Sequence, residues 1–167
     1  MAGEINVSIM TAKRHNAPLN ILLADDDIDD CIFFKEAVEE LLISTTFRIV
    51  HEGEQLMQLL TNDATELPDV LFLDLNMPRK NGFECLSEIK GNIKLSQLPV
   101  IIFSTSLEQE VVNQLYKNGA QYFIRKPSDF SQFKKIIQQT IAIIAKENIA
   151  QPAREEFVLT VEKGLII

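Results

Sequence analysis

ILLADDDIDD, residues 21 to 30, joins a short apolar run to five aspartates. The apolar part, Leu19 to Ala24, has the length and composition of a strand that is buried on both faces of a parallel sheet. The aspartates follow directly, where such a strand would end. Either these carboxylates face water at the start of a helix, or some of them surround a cation.

The same alternation of short apolar runs and helical patterns continues along the chain. Further strands are predicted at 47–50, 70–73, 100–103 and 122–125, and helices at about 29–43, 54–60, 82–93, 106–117 and 128–148. Nearly continuous apolar strands that alternate with helices predict a doubly wound α/β fold, with a five-stranded parallel sheet and helices on both faces.

The composition is that of one globular domain, because the chain has 167 residues and 46% of them are hydrophobic. A net charge of −8 argues against non-specific binding to nucleic acid or to an anionic membrane. Cys31 and Cys85 have no spacing typical of a metal site, so free thiols in a reducing, cytoplasmic environment are expected. No apolar run in the sequence is long enough to span a bilayer.

Three segments are predicted: an N-terminal extension at 1–18, the domain at 19–148 and a C-terminal tail of unknown role at 149–167. The tail is too short to be a DNA-binding domain. Its apolar stretch, Phe157 to Val161, could pair with a sheet edge, dock on the domain or join a partner chain.

Polar residues end four of the predicted strands: Asp25 and Asp26, then Asp74, Ser104 and Lys126. The carboxyl ends of parallel strands point the same way, so these side chains should meet at one rim of the sheet. One lysine does not balance three carboxylates, and hard oxygen ligands favour Mg²⁺. Because the sequence has no glycine-rich phosphate loop, the expected event is phosphorylation of a carboxylate, with Asp74 as the candidate.

The chain resembles the response-regulator receiver domains of two-component signalling. The resemblance is carried by ILLADDDIDD (21–30), PDVLFLDLNMPRKNGFECL (68–86), LPVIIFSTS (98–106) and GAQYFIRKPSD (119–129). It implies a flavodoxin-like fold with strand order 2-1-3-4-5. It also implies a stand-alone regulator that accepts a phosphoryl group from a sensor histidine kinase or a phosphotransfer protein and that is not a turnover enzyme.

The resemblance further assigns a role to each residue of the rim. Asp74 would accept the phosphoryl group, Asp26 would bind Mg²⁺ directly and Asp25 mainly through water, and the backbone carbonyl of Asn76 would be another ligand.

Ser104 and Lys126 would contact the phosphoryl oxygens, Ser104 and Phe123 would be the switch residues, and the Lys126–Pro127 peptide would be cis. Thr105 stands where the family usually has a smaller residue.

Other aspartates and the histidines have simpler interpretations. Asp27, Asp29 and Asp30 are expected to cap the first helix or to face water. His15 and His51 are interpreted as incidental, with His51 away from the rim.

The partner surface and two alternative functions stay open at this stage. Output to another protein is expected through the face of the fourth helix, fifth strand and fifth helix, where Ile136, Thr140 and Ile143 flank the core stripe, and this face could also form a homodimer. The alternative functions are a Mg²⁺-dependent aspartyl-phosphate phosphohydrolase and a receiver that is never phosphorylated. The hydrolase is disfavoured by Asn76, because such enzymes need an acid two residues past the nucleophile.

Overall fold

A computed structural model of the chain describes residues 17–146 and 150–161. The strands are β1 (Leu19–Ala24), β2 (Thr45–Val50), β3 (Val70–Leu73), β4 (Val100–Ser104), β5 (Tyr122–Arg125) and β6 (Val158–Leu159). The α-helices are α1 (Ile28–Glu39), α2 (Gly53–Thr61), α3 (Gly82–Gly91), α4 (Gln109–Lys117) and α5 (Phe130–Ala145), and a 3₁₀ turn covers Arg154–Glu156. Within these ranges, no helix is long and apolar enough to cross a membrane.

The strands form one parallel sheet in the order β2-β1-β3-β4-β5-β6. The predicted doubly wound fold with order 2-1-3-4-5 is therefore confirmed for the first five strands. The sixth strand corrects the prediction of a five-stranded sheet. It comes from the tail and pairs with β5, with Phe123 opposite Val158 and Ile124 opposite Leu159.

Helices cover both faces of the sheet because alternate residues of each central strand point to opposite sides. On one side Ile21, Leu23 and Phe72 pack with residues of α1 and α5. On the other side Leu22 and Leu71 pack with residues of α2, α3 and α4. The strands are thus buried on both faces, which explains their nearly uninterrupted apolar sequence.

The C-terminal tail lies along β5 and contacts α4. Phe157 is fully buried and packs edge-on against Tyr116, with ring centroids 5.1 Å apart. The Phe123 amide donates to the Phe157 carbonyl at 3.0 Å, and the Tyr116 hydroxyl donates to the Pro152 carbonyl at 2.8 Å. Of the three roles considered for the tail, pairing with a sheet edge and docking on the domain are those seen in the structure.

The predicted docking strip on α5 is mostly core. Ile136 and Thr140 are buried, and Leu159 and Val161 of the tail belong to the same apolar cluster as Ile136. The tail therefore covers part of the face that α4, β5 and α5 would offer to a partner.

Candidate functional site

Three carboxylates converge at the carboxyl ends of β1 and β3, as the sequence predicts. These strands are neighbours with Ala24 opposite Leu73, so the residues that follow them, Asp25 and Asp74, leave the sheet side by side. The Asp74 amide donates to the Ala24 carbonyl at 2.9 Å. Ligand atoms of Asp25, Asp26 and Asp74 all lie within 4.8 Å of one another, with Asp26 exposed and the other two buried.

The Asn81–Gly82 pair allows α3 to begin directly beside the Asp74 backbone. Asn81 accepts from the Glu84 amide at 3.0 Å and the Glu84 carboxylate accepts from the Asn81 amide at 3.3 Å, which is a complete capping box. A Cβ on residue 82 would lie 2.4 Å from the Asp74 carbonyl oxygen, so only glycine fits. The predicted helix cap thus also fixes the loop that carries Asp74.

The loop after Asp74 is also held against the loop between β2 and α2. Arg79 has φ 68°, a left-handed conformation that few side chains adopt, and it pairs with Glu52 at 2.9 Å. A Cβ on residue 53 would lie 2.0 Å from the Lys80 carbonyl oxygen, so Gly53 is required for this close approach. The backbone around Asp74 is therefore fixed from two sides.

Lys126 reaches the carboxylates from the end of β5. Its Nζ lies 2.7 Å from Asp25 Oδ2, 2.9 Å from Asp30 Oδ2 and 3.6 Å from Asp74 Oδ1. The ammonium is also 5.0 Å from the centre of the Phe103 ring. The predicted meeting of Lys126 with Asp25 and Asp74 is present, and Asp30 is an additional partner.

The first helical turn after Asp26 differs in part from the expectation. Asp27 is the N-cap of α1 and accepts from the Asp30 amide at 3.0 Å, as predicted, and Asp29 is exposed. Asp30 was expected to cap or to face water, and its pairing with Lys126 makes that prediction wrong. Helical periodicity contained the missing signal, since Asp30 lies on the same side of α1 as Phe34 and Ala37, which are buried.

Burial and mutual repulsion raise the pKa values of Asp25 and Asp74. Burial, followed by the charge of Asp25, raises the pKa of Asp74 to about 7 from its ordinary value of 3.8. Burial also raises the pKa of Asp25, against the opposing effect of Lys126. Burial alone would lower the pKa of Lys126, but the attraction of Asp25, Asp30 and Asp74 outweighs it and raises that pKa.

This electrostatic imbalance fits a divalent cation. Among the residues that the structure describes, four carboxylates face a single ammonium in the pocket, and carboxylate oxygens on a partly open rim are the ligands that Mg²⁺ prefers. Asp25, Asp26 and Asp74 are the residues that would bind it.

Ser104 is buried at the end of β4, and its hydroxyl accepts from the Ser106 amide at 3.4 Å. Thr105, the next residue, is exposed. Phe123 is fully buried in the apolar cluster on the α2–α4 side of the sheet. Asn76, whose backbone carbonyl is the remaining expected ligand, is exposed, and its backbone N–H donates to the Asp74 carboxylate.

Two details of the site differ from the expectations. No cis peptide bond occurs in the described part of the chain, so the Lys126–Pro127 bond is trans, contrary to prediction. His51 was placed away from the rim, but its Nδ1 lies 3.0 Å from the Asp25 backbone oxygen. Its position at the end of β2, next to β1, was the available signal. His15 lies outside the described residues.

Comparison with known proteins gives one consistent family. The response regulator receiver domain matches residues 21–138. Response regulator Rcp1 of Synechocystis is 29% identical over 131 residues, 76% of this chain and 89% of Rcp1. Chemotaxis protein CheY of Bacillus subtilis is 29% identical over 114 residues, 68% of this chain and 93% of CheY.

Solved structures agree with the sequence relatives. The Mn²⁺-bound form of Rcp1 superposes with a TM-score of 0.74 at 28% identity, over 81% of this chain and 100% of that one. The phosphorylated cyanobacterial phytochrome response regulator RcpA gives 0.75 at 26% identity, over 82% and 100%. This chain therefore belongs to the response regulator receiver family.

Proposed function

We propose that this protein is a phosphorylation-controlled switch in which Asp74 accepts a phosphoryl group with the help of Mg²⁺. Receiver domains take phosphoryl groups from histidine kinases or phosphotransfer proteins, and a protein of one of these two classes is the proposed donor. The observation that carries the proposal is the buried Asp74 carboxylate, which shares one pocket with three further carboxylates and the Lys126 ammonium.

Transfer requires an ionised Asp74. A carboxylate oxygen of Asp74 forms a bond to phosphorus while the bond between phosphorus and the donor's imidazole nitrogen breaks, and the electron pair leaves with the imidazole. Mg²⁺, when bound by Asp25, Asp26 and Asp74, supplies positive charge that favours the ionised acceptor and offsets the phosphoryl oxygens.

Lys126 and Ser104 are the proposed partners of the transferred group. The Lys126 ammonium, 3.6 Å from Asp74 Oδ1, is close enough to turn towards a phosphoryl oxygen and donate to it. Ser104 ends the neighbouring strand and would donate its hydroxyl. Movement of Ser104 towards the phosphoryl group would be transmitted to Phe123, which lies on the adjacent strand β5 and packs in the apolar core.

The output region is proposed to be the face formed by α4, β5, α5 and the tail that covers it. The division into an extension at 1–18, a receiver at 19–148 and a tail at 149–167 is retained as a proposal. Phe157 and β6 contact this face, which supports the proposal that the tail forms part of the surface that a partner protein, or a second copy in a homodimer, would contact.

Phosphorylation is tested by incubating the protein with Mg²⁺ and acetyl phosphate and measuring its intact mass. We expect one added phosphoryl group on the wild type and on Asp29→Asn, the exposed control, but none on Asp74→Asn or after chelation of Mg²⁺. An unmodified wild type would contradict the proposal and favour a receiver that is never phosphorylated. Rapid turnover of an unrelated phosphate ester would favour the phosphohydrolase instead.

A further inference from the structure

The Lys126 ammonium has a carboxylate partner that the acceptor site does not require. Asp30 lies in the first turn of α1, not at a strand end, and its Oδ2 is 2.9 Å from Lys126 Nζ. The same Nζ is 2.7 Å from Asp25 Oδ2 but 3.6 Å from Asp74 Oδ1. Two carboxylates thus form hydrogen bonds to the ammonium and keep it out of hydrogen-bonding distance of the acceptor.

The contact is shielded from water, which distinguishes it from an ordinary surface ion pair. The side chain of Lys126 is 7% exposed and that of Asp30 is 21% exposed. An ion pair in such surroundings is less screened than one at the surface. Asp29, in the same helical turn, is exposed and provides a matched carboxylate for comparison.

We propose that Asp30 is a positioning residue that competes with the phosphoryl group for the Lys126 ammonium. In the unphosphorylated protein Asp25 and Asp30 share this cation. When a phosphoryl group is on Asp74, the ammonium turns towards its oxygens and the contact with Asp30 weakens. A contact that stabilises one state more than the other shifts the equilibrium towards that state, so Asp30 favours the unphosphorylated form.

This inference rests on the proposed function, since it requires a phosphoryl group at Asp74. It gives Asp30 a different task from Asp25 and Asp26, which would bind the metal. Asp30 acts on Lys126 and thereby sets how strongly the site holds an anion.

The test uses beryllium fluoride, a stable mimic of the phosphoryl group, titrated into the full chain by calorimetry at saturating Mg²⁺. We expect Asp30→Asn to bind it roughly three-fold more tightly than wild type, because the Lys126 ammonium then no longer has to leave Asp30 to reach the bound anion. Asp29→Asn reports the effect of removing a nearby charge without this contact and should change the affinity less. Equal affinity in Asp30→Asn and Asp29→Asn, or weaker binding in Asp30→Asn, would overturn the proposal.

A second measurement on the wild type needs no variant and detects the contact itself. Carbon-13 spectra should show the Lys126 Cε and Asp30 Cγ signals moving together when beryllium fluoride binds, while the Asp29 Cγ signal moves less. An unchanged Asp30 signal in the bound protein would exclude the exchange of partners. A wild type that binds no beryllium fluoride would contradict the proposed function itself, so the two failures are distinguishable.

Discussion

The acidic pocket lies beyond the carboxyl end of β5 and the C-terminal tail pairs along the edge of β5, and the two are built from opposite kinds of interaction. The pocket concentrates buried, mutually repelling charges around Lys126, and burial raises the pKa of Asp74. The tail contributes a buried aromatic ring, a short strand and neutral hydrogen bonds. The pocket is therefore expected to lower the free energy of unfolding while it enables phosphorylation. The tail should stabilise the fold with little direct effect on phosphorylation.

The largest expected effect is on the tail. Phe157→Ala removes a fully buried ring from its contact with Tyr116 and should lower the free energy of unfolding by about 3 kcal/mol. Denaturant unfolding measures this, with Phe130→Ala, at a ring that is 39% exposed, as the matched control with a smaller loss. Below the unfolding transition, Phe157→Ala should still accept one phosphoryl group from acetyl phosphate. Loss of phosphorylation in a folded Phe157→Ala would abolish the contrast between the two regions.

The next largest expected effect is a pH dependence of the free energy of unfolding, which comes from the ionisation of Asp74. The pKa of Asp74 is about 7 in the folded protein and 3.8 in its ordinary state, so the folded state favours the protonated carboxyl. Stability from this group is present below pH 4 and is lost as the pH rises towards 7. Without divalent metal, Asp74→Asn should therefore be more stable than wild type at pH 8, by about 2 kcal/mol after allowance for coupling to Asp25.

Thermal or denaturant unfolding from pH 4 to pH 8, in chelator, measures that difference. The advantage of Asp74→Asn should shrink towards pH 4 and should also shrink when Mg²⁺ is added, since the cation offsets the carboxylates of the wild type. A constant difference across this pH range would show that Asp74 ionises as freely in the folded chain as in the unfolded one.

The smallest effect concerns the polar edge of the tail. Arg154 donates to Asn113 at 2.8 Å and to Gln109 at 3.3 Å, but this pair of contacts with α4 is exposed. Arg154→Ala should cost about 0.5 kcal/mol of unfolding free energy, as is usual for hydrogen bonds that water can replace. A loss as large as that of Phe157→Ala would mean that polar contacts, and not the aromatic core, hold the tail.

The contrast also explains which features could be predicted from the sequence. Asp25, Asp74 and Lys126 directly follow predicted strands, and parallel strands bring their carboxyl ends to one rim, so local pattern determined both fold and site. Asp30 was missed because it was interpreted as part of a solvated acidic first turn. Whether its side chain points towards Lys126 or towards water depends on the rotation of α1 about its own axis. β6 was left undecided because a two-residue strand has no periodicity of its own and forms only by pairing with β5.

The most direct test of the central claim is to locate the phosphoryl group in the chain. After incubation with Mg²⁺ and acetyl phosphate, borohydride reduces an aspartyl phosphate to homoserine, and peptide mass mapping identifies the converted residue. We predict conversion at Asp74 alone, with Asp25, Asp26 and Asp30 intact. Conversion at one of those three residues, or none in protein that has gained a phosphoryl group, would contradict the assignment of Asp74 as the acceptor.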